Sequence, residues 1–151
     1  MSYLLDTNHC SHIIAGDAAV LQHLESLQGA QVSTNVVVQG ELVYMTQRSE
    51  QEEANRQRID TFLQGIRIYP IDGETAIRYG ELKAAIMRQF GPREKAKRRR
   101  VTLGQLGFDE NDLWIAATAL RHDLTIVSAD SDFVRMREAT PFVLEQWTPR
   151  A

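Results

Sequence analysis

Short apolar runs alternate with longer stretches of helical periodicity along the 151 residues, and this alternation restricts the fold more than any other feature. Tyr3-Leu4-Leu5, Gln31–Thr34, Ile66–Ile71, Leu124–Ser128 and Pro141–Leu144 read as strands. Asp6-Thr7-Asn8 reads as a turn. Ala18–Leu27 sets Val20, Leu21, Leu24 and Leu27 on one helical side, and Asn35 can cap a helix running to about Gln47. Glu50–Gln64 is a charged helix anchored by Ile59, Phe62 and Leu63. Asp72 opens a helix to about Phe90, and Asn111 or Asp112 opens another over Leu113–His122. Strands separated by helices cannot pair as hairpins; they need crossovers, which make a parallel sheet covered on both faces. The expected fold is therefore α/β, a three-layer sandwich with a central, mostly parallel sheet, built as one domain over residues 1–151. Ligands in such folds sit beyond the carboxyl ends of the strands, where strand order reverses. The residues placed there are Asp6 and Asp130, both acids.

Composition narrows the chemistry. Cys10 is the single cysteine, which excludes an internal disulfide and a four-cysteine zinc site. No apolar run approaches the roughly 18 residues that a membrane span needs. The opening MSYLLDTNHC has no basic segment and meets an acid at its sixth position, so no leader peptide and a cytoplasmic location are expected. Charge is unevenly spread. Residues 93–100, REKAKRRR, hold six of the 17 Lys and Arg with one acid, a local +5, which leaves −8 on the rest of the chain. Such a segment suits a nucleic-acid backbone, although a solvated loop has the same composition.

Four acids stand out. Glu41 has Val37, Val38, Tyr44 and Met45 as its helical neighbours, so a buried ionised form needs a cation, a proton or access to water at a groove edge. Asp112 has Ile115, Ala116 and Ala119 on its own helical face, while Asp109 and Asn111 compete to cap the helix. Taken singly, Asp6 and Asp130 are ordinary turn or capping acids. In the expected fold all four converge at one sheet edge. Carboxylates packed together raise one another's pKa values, and a hard, oxygen-preferring cation such as Mg²⁺ or Mn²⁺ relieves the repulsion. Metals held this way serve phosphoryl chemistry. His9, Cys10 and His12 suggest a soft-metal site as well, but their spacing fits helical packing and surface positions equally.

Tyr3-Leu4-Leu5-Asp6-Thr7-Asn8, Gln39-Gly40-Glu41-Leu42, Asn111-Asp112-Leu113-Trp114-Ile115-Ala116-Ala117-Thr118-Ala119 and Ile126-Val127-Ser128-Ala129-Asp130-Ser131-Asp132-Phe133 resemble, in order, the motifs of PIN-domain ribonucleases. The resemblance is strongest to VapC-type toxins of type II toxin–antitoxin pairs and spans nearly the whole chain. It implies a PIN-like fold and an Mg²⁺- or Mn²⁺-dependent endoribonuclease that hydrolyses single-stranded RNA. It also implies a small cognate antitoxin and a homodimer. Asp6, Glu41, Asp112 and Asp130 match the catalytic, metal-binding acids; Thr7, Asn8, Ser128 and Asp132 match supporting positions. Arg93, Lys95, Lys97, Arg98, Arg99 and Arg100 would then draw in the RNA backbone. Two departures accompany the match. Gly91–Arg100 interposes a longer basic stretch than the family usually carries, and many members have asparagine where Asp130 stands.

Three other classes share some of these features. A haloacid-dehalogenase-type phosphatase also opens with an acid after its first strand, but wants a second aspartate where Asn8 stands. A receiver domain needs a late strand-end lysine that is absent here. A catalytically silent RNA- or partner-binding module is the third alternative and the least economical of the three, because all four acids are present.

Overall fold

β1 (Ser2–Leu5) lies at the centre of the sheet because its residues suit burial on both faces: Tyr3, Leu4 and Leu5 are all buried. The structure is a computed structural model that describes residues 1–149. β2 (Gln31–Asn35), β3 (Arg67–Tyr69), β4 (Thr125–Val127) and β5 (Leu144–Glu145) complete a five-stranded sheet of order β3-β2-β1-β4-β5. Every pairing among the described residues is parallel, with Tyr3 in register with Val32 on one side and Thr125 on the other. The mostly parallel sheet expected from the sequence is thus wholly parallel.

Eight helices connect the described strands: α1 (Thr7–Ile14), α2 (Ala18–Ser26), α3 (Val36–Gln47), α4 (Glu52–Gln64), α5 (Gly73–Phe90), α6 (Lys95–Arg98), α7 (Glu110–His122) and α8 (Ser131–Ala139). The chain steps outward from β1 through β2 to β3, then returns to lay β4 against the other edge of β1. Right-handed crossovers put α1–α4 on one face and α5–α8 on the other. Packing largely follows that division, since α3 rests on α1 and α4 and α5 on α7 and α8, but α3 also meets α7. Strand order therefore reverses between β1 and β4, where the Asp6 amide donates to the Val127 carbonyl at 3.1 Å. Among the described residues no helix is long and apolar enough to cross a membrane.

The differences from the sequence expectation have local causes. Asp6-Thr7-Asn8 is not a turn: the Asp6 side chain accepts from the His9 amide and starts α1 at once. Helix α7 begins at Glu110 because Asp109 caps it, accepting from the Asn111 amide at 2.7 Å. That leaves Asp112 in the first turn with no capping duty. Helix α8 occupies a stretch with no clear period in the sequence, its inward face burying Phe133 and Met136 with Ala139 partly covered. The last strand forms later than Pro141–Leu144, since proline has no amide to give to a ladder.

One buried side chain locks the helices that carry two of the four acids. Asn35, at the end of β2 and wholly buried, accepts from the Val38 amide and so caps α3. Its amide nitrogen donates to Thr118 Oγ1 at 3.0 Å and to the Trp114 carbonyl at 3.3 Å, both on α7. Asn35→Ala removes a cap and orphans buried partners, and should cost about 2–3 kcal/mol in urea unfolding. Asn35→Ser, which keeps the capping oxygen but cannot reach α7, should recover about 1 kcal/mol of that loss.

Candidate active site

The groove outside the reversal point is lined by Asp6, Glu41, Asp112 and Asp130, together with Thr7, Asn8, Tyr44 and Arg48. Asp6 is delivered by β1 and held from several directions. Its Oδ1 accepts from the His9 amide at 2.8 Å and faces His9 Nδ1 at 3.0 Å, while Ser128 Oγ donates to Oδ2 at 2.6 Å. The same Ser128 oxygen accepts from the Asp130 amide at 3.0 Å, so one hydroxyl ties the end of β1 to the loop after β4. Thr7 Oγ1 donates to Glu41 Oε1 at 2.8 Å.

Glu41 is half-buried and forms no ion pair among the described residues. Of the open alternatives, the structure chooses the groove edge. Val38 and Leu42 turn into the core, but Tyr44 is 62% exposed and Met45 is also exposed, so the apolar stripe is only partly a core face. The tightest group is Asp112, Asp130 and Asp132, each offering an oxygen within 4.8 Å of the others. Burial above all, and then the charges of Asp130, Asp109, Asp132 and Glu41, push the Asp112 carboxyl up to about 8. Asp132 is raised too, by burial and by Asp130, against the pull of Arg135. Asp6 and Glu41 face this trio across the groove rather than joining its closest contacts.

The PIN-domain family model matches residues 3–139, nearly the full length of the chain. The chain belongs to the PIN-domain family. Ribonuclease VapC2 of Rickettsia felis is 26% identical over 149 residues, 97% of this chain and 98% of that protein. The crystal structure of VapBC2 from the same organism, bound to a promoter DNA fragment, contains a chain that superposes with a TM-score of 0.76 at 25% identity. That match covers 98% of this PIN domain and all of its counterpart. VapBC-5 from Mycobacterium tuberculosis, a member of the VapBC family of toxin–antitoxin systems, superposes with a TM-score of 0.62 at 23% identity, over 96% of this chain and 98% of that one.

The remaining sequence-predicted residues of this PIN domain fall into two groups. Asn8 lines the groove, and Arg93, Lys95, Lys97, Arg99 and Arg100 are exposed. Arg98 differs from its neighbours: half-buried, it donates to the Arg93 carbonyl at 2.7 Å and shapes the loop from within. His9, Cys10 and His12 do not converge on a metal. His9 points to Asp6, burial pushes the Cys10 thiol well up, and His12 pairs with Asp17 at 3.1 Å.

Two site neighbours escaped the sequence reading. Arg48 lies one helical turn beyond Tyr44, its guanidinium 5.6 Å from the ring, and is the one cation lining the groove among the described residues. Arg135 reaches Asp132 at 3.6 Å, donates to the Leu106 carbonyl at 2.7 Å, and lies over the rings of Phe108 and Phe90. Both ends of the loop carrying the basic segment are thereby anchored beside the acids. Asp132 and Arg135 are legible as a helical i, i+3 pair, but nothing in the sequence shows the loop resting on it.

Asp112 gives this PIN domain a pH signature in the absence of divalent ions. Its folded-state pKa lies above the unfolded value near 4, so its contribution to stability is complete below that pH and lost as pH rises towards about 8. Asp112→Asn cannot ionise. In EDTA it should match wild type near pH 4, melt progressively higher relative to it as pH rises, and keep a constant lead above about pH 8. A lead that does not vary with pH would exclude the raised Asp112 carboxyl.

Proposed function

We propose that this PIN domain is a divalent-cation-dependent endoribonuclease acting in the cytoplasm on single-stranded RNA, and the toxin of a toxin–antitoxin pair, with residues 1–151 working as one unit. The observation that carries the reading is the convergence of Asp6, Glu41, Asp112 and Asp130 on a single groove. The donor set fits a hard cation: it is all carboxylate, and burial first, with the neighbouring acids second, pushes the Asp112 carboxyl up to about 8, a shift that a cation would relieve. Asp6, Glu41, Asp112 and Asp130 would hold Mg²⁺ or Mn²⁺, with Asp132 close enough to share in the binding. When bound, the cation would supply activation of water and stabilisation of charge on the phosphate oxygens. Thr7 and Ser128 hold two of the acids by hydroxyl donation, and Asn8 offers the groove a neutral polar contact.

An acidic groove repels a polyanion unless cations offset it. Arg48 supplies one inside the groove, and Tyr44 offers an open ring on which an unpaired base can stack. Arg93, Lys95, Lys97, Arg99 and Arg100 extend a positive path outside, while Arg98 keeps their loop in shape. A paired duplex cannot present a base face to Tyr44, which favours single strands.

The partner side of the reading rests on a second groove between α1, α3 and α4, lined by Ile14, Ala15, Leu42, Met45 and Ile59. Met45 lines both grooves. An amphipathic segment of a small antitoxin seated there would border the acids and could block RNA. The family relationship to VapC2 and to the VapBC complexes supports this assignment. A homodimer belongs to the same reading and is checked by sedimentation velocity.

Wild type should cut single-stranded RNA with Mg²⁺ or Mn²⁺ and stop in EDTA. Asp6→Ala, folded by circular dichroism, should lose more than the roughly 10–100-fold that the loss of an outer-shell partner costs a metal site. Equal cleavage by the two proteins would sink the assignment, and RNA binding without any cleavage would point to a silent binding module instead. Affinity for uncleaved RNA, measured with Asp6→Ala, should fall steeply with salt. Adding Lys95→Ala, Lys97→Ala and Arg99→Ala should flatten that slope by about two units on log axes. An unchanged slope would return the segment to a solvated loop.

A further inference from the structure

His9 is fully buried and its ring turns away from the groove, so it cannot touch RNA or a cation there. It instead connects two distant parts of the chain. Nδ1 lies 3.0 Å from Asp6 Oδ1, and Nε2 lies 3.2 Å from the backbone nitrogen of Trp147. A backbone amide can only donate, so Nε2 must offer its lone pair and the ring proton sits on Nδ1, aimed at Asp6. The imidazole therefore acts as a one-way link: Trp147 N–H to His9, His9 N–H to Asp6. The indole of Trp147, itself buried, meets the His9 ring edge-on at 85° and packs against Tyr3 and His23. Every polar atom of the imidazole has a partner, so its orientation is set twice over.

The consequence falls on Asp6. Two donors from one residue, the His9 amide and the His9 ring, converge on Oδ1, while Ser128 holds Oδ2. The carboxylate cannot rotate without breaking several of these bonds. Trp147 lies beyond residue 139, where the family match ends, so this constraint comes from the chain's own C-terminal segment. We infer that His9 is a positioning residue for the cation site, and that through it the segment after β5 fixes the Asp6 carboxylate in the attitude that binds the ion. The inference rests on the divalent-cation reading given above. Partners that orient metal-binding groups typically change metal affinity when lost, without touching the ion.

Calorimetric titration with Mn²⁺ of the full chain and two variants separates positioning from mere core filling. His9→Leu fills the space but can neither donate nor accept. His9→Gln carries a donor and an acceptor on one planar amide, as the imidazole does. His9→Leu should weaken the Mn²⁺ Kd by about 10–100-fold, and His9→Gln should restore most of it. A lower Tm in His9→Leu with an unchanged Kd would overturn the inference, as would a His9→Gln variant no better than His9→Leu. Nitrogen NMR of wild type gives a second test that needs no variant. It should show the proton on Nδ1, and Mg²⁺ should shift that resonance with the midpoint of a Mg²⁺ calorimetric titration of the same protein. A proton on Nε2, or a resonance indifferent to Mg²⁺ at saturation, would overturn the inference even if His9→Leu fails to fold. Absence of any Mn²⁺ or Mg²⁺ binding by wild type would remove the cation reading itself, an outcome distinct from tight binding that His9 does not influence.

Discussion

Like charge concentrated at the end of a dry parallel sheet is the constraint on which the rest of this structure turns. Burying β1 and β4 on both faces leaves their carboxyl ends as the place where polar side chains can emerge. Asp6 and the Ser128–Asp130 loop emerge there, and α3 and α7 bring Glu41 and Asp112 to the same groove. The cost is visible at Asp112, whose carboxyl is pushed up to about 8 by burial first and by the neighbouring acids second. A fold that gathers acids in this way is incomplete without positive charge, and the scaffold around the groove is arranged to hold them in place meanwhile. Asn35 supplies much of that rigidity, because a single buried amide caps α3 and grips α7.

The strands and most helices were legible because their periodicities are those of burial on two faces and on one. Asn35 and Asp72 were readable as caps and act as caps. What escaped was short or weakly apolar. Helix α1 starts on Thr7 and Asn8, residues that look like a turn until the Asp6 side chain is seen to satisfy the His9 amide. Helix α8 buries only Phe133 and Met136, too sparse a stripe to mark a period. The four acids were legible as strand-end and helix-face anomalies, then as motif positions. Their partners were not, since the contacts of Ser128 with Asp6, Thr7 with Glu41 and Trp147 with His9 span between 34 and 138 residues of chain. Long-range pairings of small polar groups leave no local pattern to read.

The charge asymmetry of the sequence also gains a spatial meaning. The basic segment is not remote from the acidic body, because Arg135 draws Phe90 and Phe108 together beside Asp132. The acids line the groove together with Tyr44 of α3 and Arg48 just after that helix, and the exposed cations of the basic segment lie apart from that lining. On the ribonuclease reading, that gradient guides a phosphate chain inward while stopping short of neutralising the acids.

The choice of donors around the acids follows the same logic. Asp6 is held by a serine hydroxyl, a backbone amide and an imidazole N–H; Glu41 is held by a threonine hydroxyl. None of these donors carries a full positive charge when the His9 ring accepts from Trp147. A lysine or arginine in their place would orient a carboxylate just as well, but it would also cancel the charge that a divalent ion needs. Neutral donors fix direction and leave the charge available. Asp132 is the exception, since it does have a cationic neighbour, and Arg135 is at the same time committed to the Leu106 carbonyl and the Phe108 face. Arg135 therefore offsets part of the Asp132 charge without reversing the rise caused by burial and Asp130. On the divalent-cation reading, Asp6, Glu41, Asp112 and Asp130 are the acids that have no such partner of fixed positive charge among the described residues.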